Sequence, residues 1–149
     1  FGCDRSNPHS GEMAVRMSFA NTGTLGWGGI YWQYPENNWG NLPGGIDLTG
    51  ADRVTFWARS DTPTAQVQFL VGGIGYANGT DCLHPLQPYP DSVCPKIQIT
   101  ANVPSTWTKY TIDLHQNPPR NLSRVVGGFG WVSNDPLILY LDDIVYEFD

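Results

Sequence analysis

An all-β fold, an antiparallel β-sandwich or jelly roll, is what the sequence predicts, and three observations predict it. Short β-branched and aromatic runs alternate with period two, clusters of Gly, Pro and Asn punctuate them, and no stretch of ten or more residues keeps a helical period. Without helices to carry crossovers, neighbouring strands pair antiparallel and bury one face each against a second sheet. The whole chain, residues 1–149, reads as one domain with one core, with no linker, repeat or low-complexity tract.

The strands follow in order. Residues 12–20 place Met13, Val15, Met17 and Phe19 opposite Ala14, Arg16 and Ser18. Residues 28–34 form the next strand, and a Gly/Asn/Pro loop, 35–45, follows it. Residues 53–59 set Val54, Phe56 and Ala58 against Thr55, Trp57 and Arg59. Residues 65–71 set Val67, Phe69 and Val71 against Gln66, Gln68 and Leu70. Shorter strands are expected at 96–100 and 107–114, and the last two at 125–132 and 137–148. In the final strand Leu137, Leu139 and Leu141 share a face, and unbroken alternation would put Asp143 beside them in the core. An unpaired buried carboxylate is too costly, so a bulge at Asp142-Asp143 is expected, turning Ile144, Tyr146 and Phe148 inward. Adjacent carboxylates at a bulge suit Ca²⁺, which takes several oxygen ligands; solvation of both on an edge is the alternative.

Cys82 and Cys94 flank a loop rich in Pro. A disulfide between them is the first reading; it implies an oxidising, extracellular compartment and stabilises by about 2–3 kcal/mol. The rival is a Zn site of Cys82, His84 and Cys94, against which stands the lack of a second paired Cys/His motif. Cys3 is left over, either a free thiol or the partner of an upstream cysteine. The chain opens at Phe1-Gly2-Cys3 without Met, as a mature or excised fragment does.

Composition narrows the function. Charged residues are 15% of the chain, aromatic residues 13%, and the net charge is −6. An acidic chain without a basic stripe argues against nucleic acid, and no basic amphipathic or long apolar run points to a membrane. Few charges and many rings suit a neutral, hydroxyl-rich ligand.

Several segments together resemble bacterial carbohydrate-binding modules of the galactose-binding-like jelly-roll superfamily, found attached to glycoside hydrolases. They are Asp47-Leu48-Thr49-Gly50-Ala51-Asp52-Arg53-Val54-Thr55-Phe56-Trp57-Ala58-Arg59, the run from Ser105 to Leu114, Leu139-Tyr140-Leu141-Asp142-Asp143-Ile144, and the opening Pro8-His9-Ser10-Gly11 turn. The resemblance implies a sandwich that binds polysaccharide and carries a structural Ca²⁺ near its termini. Asp142 carries over as a ligand, with Asp143 beside it and backbone near His9 and Ser10; Asp4 alone stands where relatives have an acidic residue on an earlier strand.

A sugar ring offers an apolar C–H face for an aromatic plane and a rim of hydroxyls for amides, carboxylates and Arg. Candidates for that chemistry are Trp27, Tyr31, Gln33 and Trp39 in the aromatic segment, where Asn37 and Asn38 also lie, and Trp57 and Arg59 with Gln66 and Gln68. If the strands of Trp57 and Gln68 are neighbours, these residues form one patch, with Tyr89 at its rim. The bland alternatives are that Trp39 anchors its loop, that a loop covers Trp57, and that Arg59 pairs with a nearby Asp. Trp32, Phe129 and Trp131 read as core. The expected function is non-catalytic binding of a β-glucan or related glycan, holding a parent enzyme, or the chain itself, on the polysaccharide. The alternatives are a glycosidase or lyase, and an interaction domain without a glycan site. A glycosidase needs two carboxylates across a cleft; Glu36 and Asp91 are the only pair to consider. His9, His84 and His115 show no metalloprotease spacing, no GxSxG elbow or P-loop occurs, and Gly72-Gly73-Ile74-Gly75 reads as a strand end.

Overall fold

A computed structural model describes the whole chain, Phe1–Asp149. Its strands are β1 (Gly2–Asp4), β2 (Ala14–Phe19), β3 (Gly28–Gln33), β4 (Ala51–Ser60), β5 (Gln66–Val71), β6 (Ile97–Asn102), β7 (Thr108–Asp113), β8 (Gly127–Ser133) and β9 (Leu137–Phe148). They form an antiparallel five-stranded sheet, β1-β2-β9-β4-β7, and an antiparallel four-stranded sheet, β3-β8-β5-β6. One 3₁₀ turn, Ala77–Gly79, is the sole helical element, and no helix is long and apolar enough to cross a membrane. The expected sandwich is therefore the observed one. Strand β1 escapes the alternation argument because three residues carry too little pattern to read.

The inward faces are those the period-two pattern assigns. Val54, Phe56 and Ala58 of β4 and Val67, Phe69 and Val71 of β5 are fully buried. Phe56 meets Phe69 at 4.6 Å and Phe129 at 4.9 Å between ring centroids, locking the sheets together. Removing such a ring would cost about 3–5 kcal/mol through lost burial and the cavity left behind. Trp131 donates its indole N–H to Met17 Sδ at 3.0 Å, which satisfies the polar atom of a fully enclosed ring.

The bulge falls where the buried-carboxylate argument puts it. Asp143 has φ 50°, and the β4–β9 register shifts opposite it, between Thr55 and Trp57. Ile144 and Tyr146 then pack against the core, but Phe148 does not follow them: it is 57% exposed, because it lies opposite Ala51 at the end of the sheet. Cys82 and Cys94 are joined by a disulfide, which removes both thiolates from any zinc site, and His84 contacts Asp81 instead at 3.0 Å. Cys3 is a free, exposed thiol.

Strands β4 and β5 lie in different sheets, so Trp57 and Arg59 cannot share a surface with Gln66 and Gln68. Alternation along a strand tells inside from outside; it does not tell which of two sheets the strand joins.

Candidate functional site

The outer face of the four-stranded sheet is built around an absent side chain. Tyr31 of β3 pairs with Gly130 of β8, where a Cβ would lie 2.9 Å from Tyr31 Cδ1. Glycine thus lets the tyrosine ring lie across the neighbouring strand. Burial there pushes the Tyr31 phenol pKa up. Trp39 meets Tyr31 edge-on, with centroids 5.5 Å apart and planes at 68°.

A buried amide presents Trp39. Asn38 is fully enclosed: its Nδ2 donates to Leu42 O at 3.0 Å, and its Oδ1 accepts from Gly40 N at 2.9 Å and Leu42 N at 3.2 Å. Its functional groups are used inside the loop, so it is not one of the glycan-facing amides. The loop it ties leaves Trp39 52% exposed, and Trp27, before β3, is 48% exposed. The 82–94 loop braces this arrangement, with Tyr89 N donating to Gly40 O at 2.8 Å.

Trp27, Tyr31 and Trp39 line one cleft of about 410 Å³. Its far wall is Gly73, Ile74, Gly75 and Tyr76, with Asn78, Gly79 and Lys96 beyond. Val132 and Asn134 also line a neighbouring polar recess with Gln66 and Gln68. The glycine run read as a strand end is therefore a cleft wall. Tyr76, Asn78, Lys96 and Asn134 were not singled out from sequence; the only signal was the glycine cluster from Gly72 to Gly79, since four of its glycines have positive φ and bring backbone close to side chains.

Behind the wall lies Asp91, 1% exposed. Its carboxylate accepts from Val126 N and Gly127 N, both at 3.0 Å, and from Ile74 N at 3.4 Å. Burial raises its pKa to about 6 against the lowering effect of those bonds. Tyr76 Oη donates to Asp91 O at 3.0 Å. Asp91 thus holds loops together and does not line the cleft. Glu36 is exposed in the loop before Trp39, and no carboxylate lines the cleft.

The remaining candidates lie elsewhere. Gln33 was expected beside Tyr31, but the register shifts between Trp32 and Gln33, and Gln33 lines an apolar groove with Trp32, Ile46, Ile144 and Tyr146. Tyr89 is 41% exposed and sits beside the Trp39 loop without lining the cleft. Trp57 is covered by the His9 ring, stacked at 3.7 Å and 18°. Arg59 lies 3.6 Å above the Tyr140 ring and pairs with Asp4 at 3.5 Å and Asp61 at 3.6 Å. A lid over Trp57 and carboxylate partners for Arg59 thus close this face to a ligand.

The acids proposed for Ca²⁺ are occupied by donors. Asp142 Oδ2 accepts from His9 N at 2.9 Å and Ser10 N at 3.2 Å. Asp143 accepts from Ser10 Oγ at 2.7 Å and contacts His9 Nδ1 at 2.7 Å, and the Ser10 hydroxyl bond, with His9, holds its pKa below the usual range. Asp4 is bonded by Ser6 Oγ at 2.8 Å. The first turn thus meets both carboxylates of β9 with its N–H and O–H groups. These bonds staple the first turn directly to β9.

No protein-family model matches the sequence, and no curated protein matches it either. Solved structures do match in fold. Two crystal structures of family 30 carbohydrate-binding modules superpose with TM-scores of 0.65 and 0.60 at 13% and 14% identity, covering 99% and 96% of this chain and 83% and 71% of theirs. The family 30 module of the cellulosomal cellulase Cel9D-Cel44B of Clostridium thermocellum gives 0.60 at 14% identity, over 99% of this chain and 82% of that one. From end to end, the chain has the β-sandwich fold of family 30 carbohydrate-binding modules.

Proposed function

We propose that this domain is a non-catalytic carbohydrate-binding module that takes a β-glucan or related polysaccharide on the outer face of the four-stranded sheet. The observation that carries this reading is the cleft in which Trp27, Tyr31 and Trp39 display aromatic surface beside Asn78, Asn134 and, in the neighbouring recess, Gln68. Half-exposed rings accept the apolar face of a pyranose, and amides accept its hydroxyls. A carboxylate pair across the cleft, which hydrolysis would need, is not part of the arrangement. Structural neighbours that are carbohydrate-binding modules, one of them from a cellulase, support the same reading. The disulfide and the likeness to those modules fit a secreted protein, and the role follows as holding a parent enzyme on its substrate.

The test is calorimetry against soluble β-glucan, xyloglucan, xylan and mannan. Binding to at least one, weakened about thirtyfold in Trp39→Ala, is expected. Silence across the panel would remove the proposal.

A further inference from the structure

We propose that the cleft selects a glycan bearing carboxylates, a uronate-substituted β-linked polysaccharide, and that Lys96 is the residue that reads the charge. This rests on the glycan-binding reading above and names the ligand class within it. Lys96 is the one charged residue lining the cleft. It makes no ion pair, whereas Arg5, Arg53 and Arg59 each contact a carboxylate. Of the other partly buried cations, Arg53 and Arg59 contact carboxylates and Arg120 and Arg124 donate to backbone carbonyls, whereas the Lys96 ammonium has no protein partner.

Its position is built. Lys96 N donates to Gly79 O at 2.8 Å. The side-chain stem runs over Gly79 and Gly73, where an added Cβ would lie 2.8 Å from Lys96 Cδ and 2.8 Å from Lys96 Cβ respectively. Both glycines have positive φ, so neither site readily accepts a side chain that would displace the lysine. The acids of the surrounding loops are committed elsewhere: Asp91 to backbone amides, Asp81 to His84, and Asp135 to Gln66 N at 2.8 Å. A compact ammonium left unneutralised beside stacking rings suits an anionic substituent on a sugar held by those rings. One cation favours an isolated uronate over a polysulfated chain, which a protein of net charge −6 would repel.

The experiment compares three xylan oligosaccharides by calorimetry: one with glucuronate side groups, the same compound with its carboxylates reduced to alcohols, and a sulfated one. The wild-type protein should bind the uronate form about fivefold more tightly than the reduced form at low salt, the upper range for a partly exposed ion pair, and less so at high salt. Lys96→Met should erase that preference and leave affinity for the reduced form intact; Lys96→Arg should keep it. Equal affinity for uronate and reduced forms overturns the proposal, as does equal weakening of both in Lys96→Met, which would make Lys96 a partner of neutral hydroxyls. Binding of the sulfated compound as tight as that of the uronate also overturns it. If the reduced form binds and only the preference is absent, the glycan-binding reading survives; if none of the three binds and the neutral panel is silent, both readings fall.

Discussion

On the five-stranded sheet Trp57 lies beneath the His9 ring, and Trp107 donates its indole N–H to Asn7 O at 3.1 Å, so the first turn of the chain closes over both. On the four-stranded sheet no chain segment closes over Trp27 or Trp39, and each keeps about half its surface in contact with solvent. Both faces carry tryptophans, tyrosines and polar groups on outward positions. The difference is made by what passes above them. The turn around His9 is drawn down by Asp142 and Asp143 and seals one face; the loop around Asn38 folds on itself and leaves the other open. An outward aromatic is a platform only if no neighbouring segment needs it as a lid support.

The comparison breaks most sharply under crossed substitutions. Trp57→Ala should cost about 3 kcal/mol of stability by removing a ring packed against the turn, and leave glycan affinity unchanged. Trp39→Ala should weaken binding by about thirtyfold, as loss of an aromatic anchor does, and leave urea stability within about 1 kcal/mol. Similar effects from both variants on both measurements would mean the two faces do not differ as described.

A smaller effect sharpens the contrast in how the faces are supported, buried acid against exposed ion pairs. The pKa of Asp91 is raised in the folded state from the ordinary 3.8 to about 6, so the native protein holds more protons than the unfolded chain between those values. Its contribution to stability therefore rises as pH falls. Relative to Asp91→Asn, the wild type should gain about 2 kcal/mol between pH 7 and pH 4, read from urea unfolding at each pH. A constant difference would show that Asp91 does not titrate there. The acids on the opposite sheet, Asp4, Asp143 and Glu147, are lowered by hydrogen bonds to Ser6, Ser10 and Arg53 respectively, so their contribution is kept above the usual carboxylate range and lost below it. The smallest effect tests the floor of the platform: Gly130→Ala should displace the Tyr31 ring, costing about 1 kcal/mol in stability with a several-fold loss of binding.

What the residues alone determined is the sandwich, its strands after β1 and most of their inward faces, because burial of alternate side chains is a local, period-two constraint written along each strand. The bulge at Asp142-Asp143 was legible for the same reason: a carboxylate in the middle of a leucine face violates that constraint visibly. Tyr31 could be assigned outward and Trp32 inward on this ground. Which outward residues meet was decided only by the tertiary structure. Sheet membership separated Trp57 from Gln68, a register shift took Gln33 away from Tyr31, and loop closure brought Tyr76 and Lys96 opposite Trp39. Those outcomes depend on contacts between segments far apart in sequence, and alternation within one strand carries no record of which distant segment will lie beside it.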